Sequence, residues 1–380
     1  MIRLDDIKNM VLYGDVIEAE NFLYQNKKIL NTISLCIFRN CSYPYFHGSP
    51  VLNSLDERLL QKKYFIVVVS SVHDYFLIKN ELKMKGKEEF RDFVWSKAID
   101  KKMVVVNANC HGEALIKYLE LSTKFREGYF VYPVPEIQDN IEGQLSKRLL
   151  LFTNVYIHQD IKLNNKISRD LSDEVIEKKL GLETTNITIP NLVGMGNWMY
   201  PQLGELDKYI RTKEKVEYIF YRDEILDEAE KKYKSQIDKY VRFWNNYSYD
   251  KDYLDEIWKQ NEKKLKKREE NWDIKIYNYI YSNFRRIPCF VDANHPSKYV
   301  MREIGRQVAK KLMLDDIDDE IFESDMGLPV PILPSIKRYF QLDFCVPNER
   351  RKYYLGKSVM GDELEEYIRA YIWWHFERQL

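Results

Sequence analysis

The chain has 380 residues, 45% hydrophobic and 31% charged, enough for two domains or one large one and too apolar for an intrinsically disordered protein. Lys plus Arg and Asp plus Glu each number 59, a formal net charge of zero that argues against a nucleic-acid partner. Five scattered cysteines (Cys36, Cys41, Cys110, Cys289, Cys345) without a C-x-x-C pair exclude a disulfide framework, and no apolar run nears the ~18 residues that span a bilayer, so a cytoplasmic protein without a membrane span is expected.

Residues 1–100 read as a small α/β domain. Val11 to Gly14 ends a strand, Val16 to Tyr24 has helical spacing, and Ile33 to Phe38 is a second apolar strand. Ser54 is placed to cap a helix through Leu59 and Leu60, Tyr64 to Val69 is a buried strand, and a helix over Val72 to Met84 stops before Gly86. Strands alternating with helices predict a parallel sheet. The segment resembles the Rossmann-like units found beside sugar-modifying and methyl-transferring domains, in Leu12-Tyr-Gly-Asp15, Gly48-Ser-Pro-Val51, residues 64–71 and Leu82-Lys-Met-Lys-Gly86. Only Gly14 stands where a dinucleotide fold has G-x-G-x-x-G, so a structural or docking role is expected rather than NAD binding.

The second domain, residues 101–380, opens on Met103 to Leu119. The β-branched run Val104 to Val106 gives way to a polar turn and then to Ala114, Leu115, Tyr118 and Leu119 at helical spacing, so the stretch reads strand, turn, helix. Cys110 falls at the turn, where the unpaired N–H groups and positive dipole end of a helix favour a thiolate. Two readings stand: the nucleophile of an α/β enzyme, or a small apolar residue buried at a strand end. Gly112 lets the backbone pass close to a ligand, and Asn107 and Asn109 are turn formers whose amides suit an oxyanion. Leu149 to Ile157 is another apolar run, closed by His158-Gln159-Asp160 at a strand's carboxyl end, where open α/β sheets bind ligands. Ile187 to Pro190 is a short strand leading into the Gly-rich loop Asn191 to Gln202, whose aromatics Trp198 and Tyr200 either line a cleft or pack inward.

Glu205 to Phe284 lack Gly and Pro and are charged and aromatic, which predicts a helical subdomain. Trp244, Trp258 and Trp272 recur at intervals of 14, predicting one continuous apolar stripe. Ile287 to Pro296 reads as an apolar strand ending in a polar turn, with Pro296 at the start of the next helix. That helix sets Met301, Ile304, Val308 and Leu312 on one face and Lys298, Arg302, Arg306 and Lys310 on the other, a basic face that suits phosphates or plain solvent. Leu328 to Pro334 is a Pro-rich linker or strap, and a last helix from near Asp362 turns Leu364, Tyr367, Ile368, Tyr371 and Ile372 toward the core or a second copy of the chain in a homo-oligomer. With no H-x-x-x-H and no paired cysteines, no catalytic metal is expected.

Asp292-Ala-Asn-His295 is the second half of the argument. A carboxylate three residues before a histidine can fix the imidazole tautomer and turn the other ring nitrogen to a nucleophile. Cys110 is the candidate, because both segments follow apolar runs and parallel strands of one sheet end side by side. A turn nucleophile and a late D-x-x-H resemble the SGNH hydrolase layout with a thiol in place of the serine hydroxyl, and Asn197 and Gln159 are candidates for the oxyanion donors.

A closer resemblance is to the WcbI family of capsular polysaccharide biosynthesis proteins, acetyltransferases that bind coenzyme A. It is carried by Val106-Asn-Ala-Asn-Cys-His111, Ile189-Pro-Asn191, Tyr200-Pro-Gln202, Arg268-Glu-Glu-Asn-Trp-Asp273 and Asn294-His-Pro-Ser297, in order between residues 103 and 345. His111 replaces the family's usual Gln. The resemblance implies an SGNH-like or WcbI-like α/β domain with a large helical insertion, behind a parallel-sheet Rossmann-like domain. It also implies acyl transfer from coenzyme A or acetyl-CoA to a sugar or polysaccharide precursor. His295 would be the base, Asp292 its orienting partner, and Asn109 with the N–H groups of Cys110, His111 and Gly112 the oxyanion site, while Arg302 and Arg306 would meet the phosphates. A carbohydrate esterase using the same residues, or a non-catalytic glycan-assembly protein with an inert Cys110, are the alternatives.

Overall fold

Apolar runs without polar alternation, such as Met10 to Tyr13 and Phe65 to Val68, suit strands covered on both faces, and all eight of these residues are buried. The computed structural model describes the chain except residues 40, 57–62, 138–143, 162–168, 207–209, 213–214, 218–220, 235, 325–329, 345–362 and 378–380. Its first sheet joins β1 (Met10–Gly14), β2 (Ile33–Phe38), β3 (Tyr45–Phe46), β4 (Ser49–Leu52), β5 (Tyr64–Val68) and β6 (Phe93–Trp95) in the order β3-β4-β2-β1-β5-β6. All neighbours run parallel except β3 with β4. Helix α1 (Val16–Gln25) starts at Asp15, whose carboxylate accepts the N–H groups of Ile17 at 2.8 Å and Glu18 at 3.1 Å. The helix start after β1, where a dinucleotide fold seats its pyrophosphate, is therefore already filled by a carboxylate. The helix expected after Ser54 falls on residues 57–62, outside the described residues.

Helix α2 (Val72–Met84), capped by Ser71, covers a buried ion pair in which Lys79 Nζ lies 2.7 Å from Glu89 Oε2. The hydroxyls of Tyr75 and Tyr132 both donate to Glu89 Oε1, and burial raises both phenols well above their usual range.

The second sheet, β7 (Lys102–Asn107), β8 (Tyr129–Val131), β9 (Val155–Gln159) and β10 (Thr185–Ile189), has the order β10-β9-β7-β8, with β7 parallel to β8 and β9. Helices α3 (Cys110–Leu119), α4 (Thr123–Gly128), α5 (Lys147–Phe152) and α6 (Asp173–Ile176) connect its strands. The apolar run from Leu149 is thus not one strand. Ser146 accepts the N–H of Leu149 at 3.1 Å and starts α5, and the strand begins only at Val155. The β7–β9 register sets Asn107 opposite His158, so both strands turn polar at the same level.

The chain divides into two compact units: residues 1–112 with 120–187 and 314–317, and residues 113–119 with 188–313 and 318–380. The helical subdomain expected from Glu205 begins only at Glu224, because two antiparallel pairs precede it, β11 (Leu203–Leu206) with β14 (Tyr221–Asp223) and β12 (Ile210–Thr212) with β13 (Lys215–Glu217). Helices follow: α7 (Glu224–Tyr233), α8 (Ile237–Asn246), α9 (Lys251–Glu269), α10 (Tyr277–Asn283), α11 (Lys298–Lys311), α12 (Pro334–Phe340) and α13 (Glu363–Ile372).

The three tryptophans do not form one stripe, because the helices break between them. Trp244 on α8 meets Tyr367 of α13, Trp258 on α9 meets Trp198, Phe284 and Phe340, and Trp272 follows the end of α9. Asp223 caps α7 and also ties down α13. Its carboxylate accepts the N–H groups of Ile225 and Leu226 and the Tyr367 hydroxyl, each at 3.1 Å. Complete burial pushes its pKa up to about 8. Cys345 and the first residues of the Pro-rich strap lie outside the described residues. Among the described residues no helix is long and apolar enough to cross a membrane.

Candidate functional site

In the first unit the polar turn after β7 is built by Asn109. Its Oδ1 accepts the N–H of His111 at 3.0 Å and its carbonyl accepts the N–H of Gly112 at 2.8 Å, which starts α3 with Cys110 as first helical residue. Gln159, at the end of β9, locks the turn from the neighbouring strand. Its Oε1 accepts the Asn109 N–H at 3.1 Å, and its Nε2 donates to Asn109 Oδ1 at 3.1 Å and lies 3.2 Å from His111 Nδ1. Behind them Asn107 Nδ2 donates to the Tyr156 hydroxyl at 2.8 Å. His158 stacks on Tyr156 and holds Asp173 Oδ1 at 2.8 Å from its Nδ1. Asn107, His111, His158 and Gln159 are all buried, while Cys110 is half-buried.

This geometry redefines several expected roles. The amides of His111 and Gly112 and the side chain of Asn109, expected to hold an oxyanion, instead hold the start of α3. A Cβ at Gly112 would lie 2.9 Å from Ala108 Cβ and 3.0 Å from Val106 Cγ1, so the missing side chain serves the contact of α3 with β7 and not the approach of a ligand. The thiol of Cys110 makes no hydrogen bond among the described residues. Burial pushes the thiols of Cys36 and Cys289 up to about 12, leaving Cys41 and Cys110 as the partly exposed cysteines described.

The second unit contains the Asp292 turn. Residues 287–296 do not form the expected strand; they make only an isolated bridge between Phe290 and Pro296. The reason is local. Asp292 Oδ1 accepts the N–H groups of Asn294 at 2.8 Å and His295 at 2.9 Å, a turn that competes with any sheet ladder. The premise that Cys110 and His295 end neighbouring strands of one sheet therefore does not hold, and the two residues belong to different units. Ser297, not Pro296, immediately precedes α11.

The D-x-x-H pairing itself is present. His295 Nδ1 lies 2.8 Å from Asp292 Oδ2, Asp292 is fully buried, and the imidazole is about a quarter exposed. A carboxylate at Nδ1 fixes the proton there and assigns acid–base work to Nε2. The Asn191–Gln202 loop seats this turn. Asn294 accepts the Gly194 N–H and donates to the Tyr221 hydroxyl, each at 2.8 Å, and a Cβ at Gly196 would lie 2.3 Å from the Asp292 carbonyl oxygen. Trp198 and Tyr200 pack inward, the latter donating to the Phe290 carbonyl at 3.0 Å. Asn197 is half-buried in this loop, in the other unit from Gln159.

On α11, Met301, Ile304, Val308 and Leu312 are buried as their spacing predicts. Three cations of the opposite face are already paired: Lys298 with Glu323 at 2.7 Å, Arg302 with Glu320 at 3.3 Å, and Arg306 with Asp319. A phosphate at Arg302 or Arg306 would have to displace a carboxylate. Asp173, Gly196 and Tyr221 were not singled out from the sequence. Only the two glycines of Gly194-Met-Gly196 signal a close backbone approach; Asp173 and Tyr221 reach their partners from distant segments.

A parallel sheet with a cysteine at a strand–helix junction and a polar cluster at the strands' carboxyl ends defines an α/β protein with a site of the open-sheet kind. The family described as polysaccharide biosynthesis enzyme WcbI matches residues 103–316, more than half of the chain, and the chain belongs to that family. A solved structure of WcbI, described as a novel polysaccharide biosynthesis enzyme in its native form without a disulfide bond between CoA and a cysteine, is similar in fold. The match has a TM-score of 0.53 and 18% identity over 72% of this chain and 90% of that one. No curated protein sequence matches the chain.

Proposed function

We propose that the protein transfers an acyl group, acetyl in the simplest case, from coenzyme A to a hydroxyl of a sugar or polysaccharide precursor in the cytoplasm. The observation that carries this reading is Cys110: a half-buried thiol, without a hydrogen-bond partner among the described residues, at the first turn of a helix that follows a parallel strand. Membership of a polysaccharide biosynthesis family supports the acceptor class. The description of the related structure, which mentions CoA beside a cysteine with no disulfide joining them in that form, supports coenzyme A as the donor, with Cys110 as the candidate thiol.

A general base takes the acceptor hydroxyl's proton; His295, with Nδ1 engaged by Asp292, has the local arrangement for that role within its own unit. The hydroxyl oxygen then forms the new ester bond to the acyl carbon, the carbon–sulfur bond breaks, and the proton passes to the departing thiolate. Cys110 either lines the thioester or is itself acylated; in the second case a thioester at Cys110 forms as the first one breaks, a nearly isoenergetic exchange. Arg302 and Arg306 are assigned no phosphate contact, since Glu320 and Asp319 hold them.

Thermal denaturation with coenzyme A and intact-mass analysis after exposure to oxidised coenzyme A test the reading without knowledge of the acceptor. Ligand at ~100 times its dissociation constant adds about 2.7 kcal/mol. Stabilisation of the wild type and a CoA adduct that disappears in Cys110→Ser are expected. Absence of both at millimolar coenzyme A would refute donor binding at this cysteine.

A further inference from the structure

Between the edge strand β6, the end of α1 and the corner from α4 to β8, the first unit has a half-open cavity of about 600 Å³. That lies within the roughly 300–1,000 Å³ of small-molecule sites. Its lining is mixed and includes Trp95, Phe125, Tyr129 and Phe130; Tyr75 stacks on Trp95 and Phe125 on Tyr129, so the rings reach the cavity by their rims, and only Tyr129 is half-buried rather than buried. Cys110 is not among the described residues that line it.

Three cations also line this cavity, and each meets neutral oxygens. Lys97 Nζ donates to the Ser70 carbonyl at 2.6 Å, and Lys101 Nζ donates to the Arg126 carbonyl at 2.7 Å. Arg126 donates to the carbonyls of Glu120 and Leu121 and, at 2.9 Å, to Thr123 Oγ1. An ammonium has three donor hydrogens and a guanidinium five, so each keeps donors beyond these bonds. The contrast with α11 is direct, since Lys298, Arg302 and Arg306 each face a carboxylate. Desolvation lowers the pKa of Lys101, and Glu127 nearby offsets only part of that cost.

Two carboxylates share the lining. Asp100 Oδ1 accepts the Leu4 N–H at 3.3 Å, and Glu120 is exposed, so the cations outnumber the anions by one.

Aromatic rims beside cations that meet no carboxylate in an ion pair among the described residues match a ligand that joins a flat ring to phosphates. A bare sugar phosphate would leave the aromatic rims unused. We propose that this cavity binds a nucleoside diphosphate, free or carrying a sugar, with its base against the aromatic rims and its phosphates on Lys97 and Lys101. The site is separate from the α1 start that Asp15 fills and is independent of the acyl-transfer reading.

Isothermal titration of the full chain with UDP, ADP, uridine and inorganic phosphate tests it. UDP or ADP should bind, with uridine and phosphate each at least tenfold weaker. The Lys97→Ala/Lys101→Ala double variant should lose at least tenfold in nucleotide affinity, the loss expected of charge-assisted contacts. Ser96→Trp places a large side chain in the cavity lining without removing a charge and should abolish binding, which keeps the proposal testable if the lysine variant does not fold. Coenzyme A carries its own nucleoside diphosphate, so titrations are repeated in saturating coenzyme A: unchanged nucleotide affinity supports an independent site, and displacement overturns it. No binding at millimolar nucleotide, equal affinity for inorganic phosphate, or an affinity indifferent to both variants also overturns it.

Discussion

Replacing Asp292 by asparagine separates two roles that one carboxylate plays. Its Oδ1 accepts the N–H groups of Asn294 at 2.8 Å and His295 at 2.9 Å, while Oδ2 lies 2.8 Å from His295 Nδ1, and the residue is fully buried. Asparagine keeps an acceptor for the two N–H groups but presents an NH₂ donor to Nδ1, which must then accept and carry its proton on Nε2 instead. The turn should survive, at a cost of about 1 kcal/mol, the scale of one net hydrogen bond. Asp292→Ala should cost more, roughly 2–6 kcal/mol, because two backbone donors lose their acceptor at about 1–3 kcal/mol for each group left unsatisfied, while the partly exposed imidazole turns to water. If His295 is the base, the asparagine variant should lose on the order of 10²–10⁴ in transfer rate, as orienting carboxylates do when the wrong tautomer results. Nitrogen-15 NMR of the imidazole reads the tautomer, urea denaturation reads stability, and release of free thiol from acetyl-CoA reads the rate. An asparagine variant that keeps its proton on Nδ1, or an alanine variant as stable as the wild type, would refute the reasoning.

Three further outcomes are expected. Gly to Ala inside a helix ordinarily gains up to about 1 kcal/mol, but at Gly112 the new Cβ would meet Ala108 and Val106 at 2.9 and 3.0 Å, so overpacking of about 1–3 kcal/mol should reverse the sign in a denaturation titration. Asp223 has its pKa raised from 3.8 to about 8 by burial, so the folded state binds its proton more tightly than the unfolded state. Its contribution is therefore complete below pH ~4 and is lost as pH rises through about 8; Asp223→Asn should flatten stability against pH across that window, and an unchanged slope would count against it. Lys79→Met leaves the Glu89 carboxylate, only 7% exposed, without its cation and should cost about 3–5 kcal/mol by urea denaturation, whereas a loss below 1 kcal/mol would show that the carboxylate is protonated or hydrated.

What could be read from the sequence was what is local. The β7–α3 junction is legible because a β-branched run and a helical period meet within a few residues and Asn109 is a capping residue. Two of the errors in strand assignment share a cause. Apolar content alone does not separate a strand from a short buried helix or turn, and in each case a polar side chain decided the matter: Ser146 starting α5, and Asp292 winding residues 292–295. The tryptophan interval misled because a period has meaning only within one unbroken helix, and chain breaks separate α8, α9 and Trp272. The partners of Arg302 and Arg306 were invisible because Asp319 and Glu320 lie on a segment that follows α11 and returns to it. Capping raises a subtler difficulty for the site itself. Asn, Gln and the first amides of a helix are the groups that cap a helix and also the groups that bind an oxyanion, so a sequence cannot tell which task they perform. Here Asn109, Gln159 and the N–H groups of His111 and Gly112 bond to one another. That moves the chemical weight of the turn from its amides to the thiol they hold in place, and makes Cys110, rather than an oxyanion hole, the feature on which the proposed acyl transfer rests.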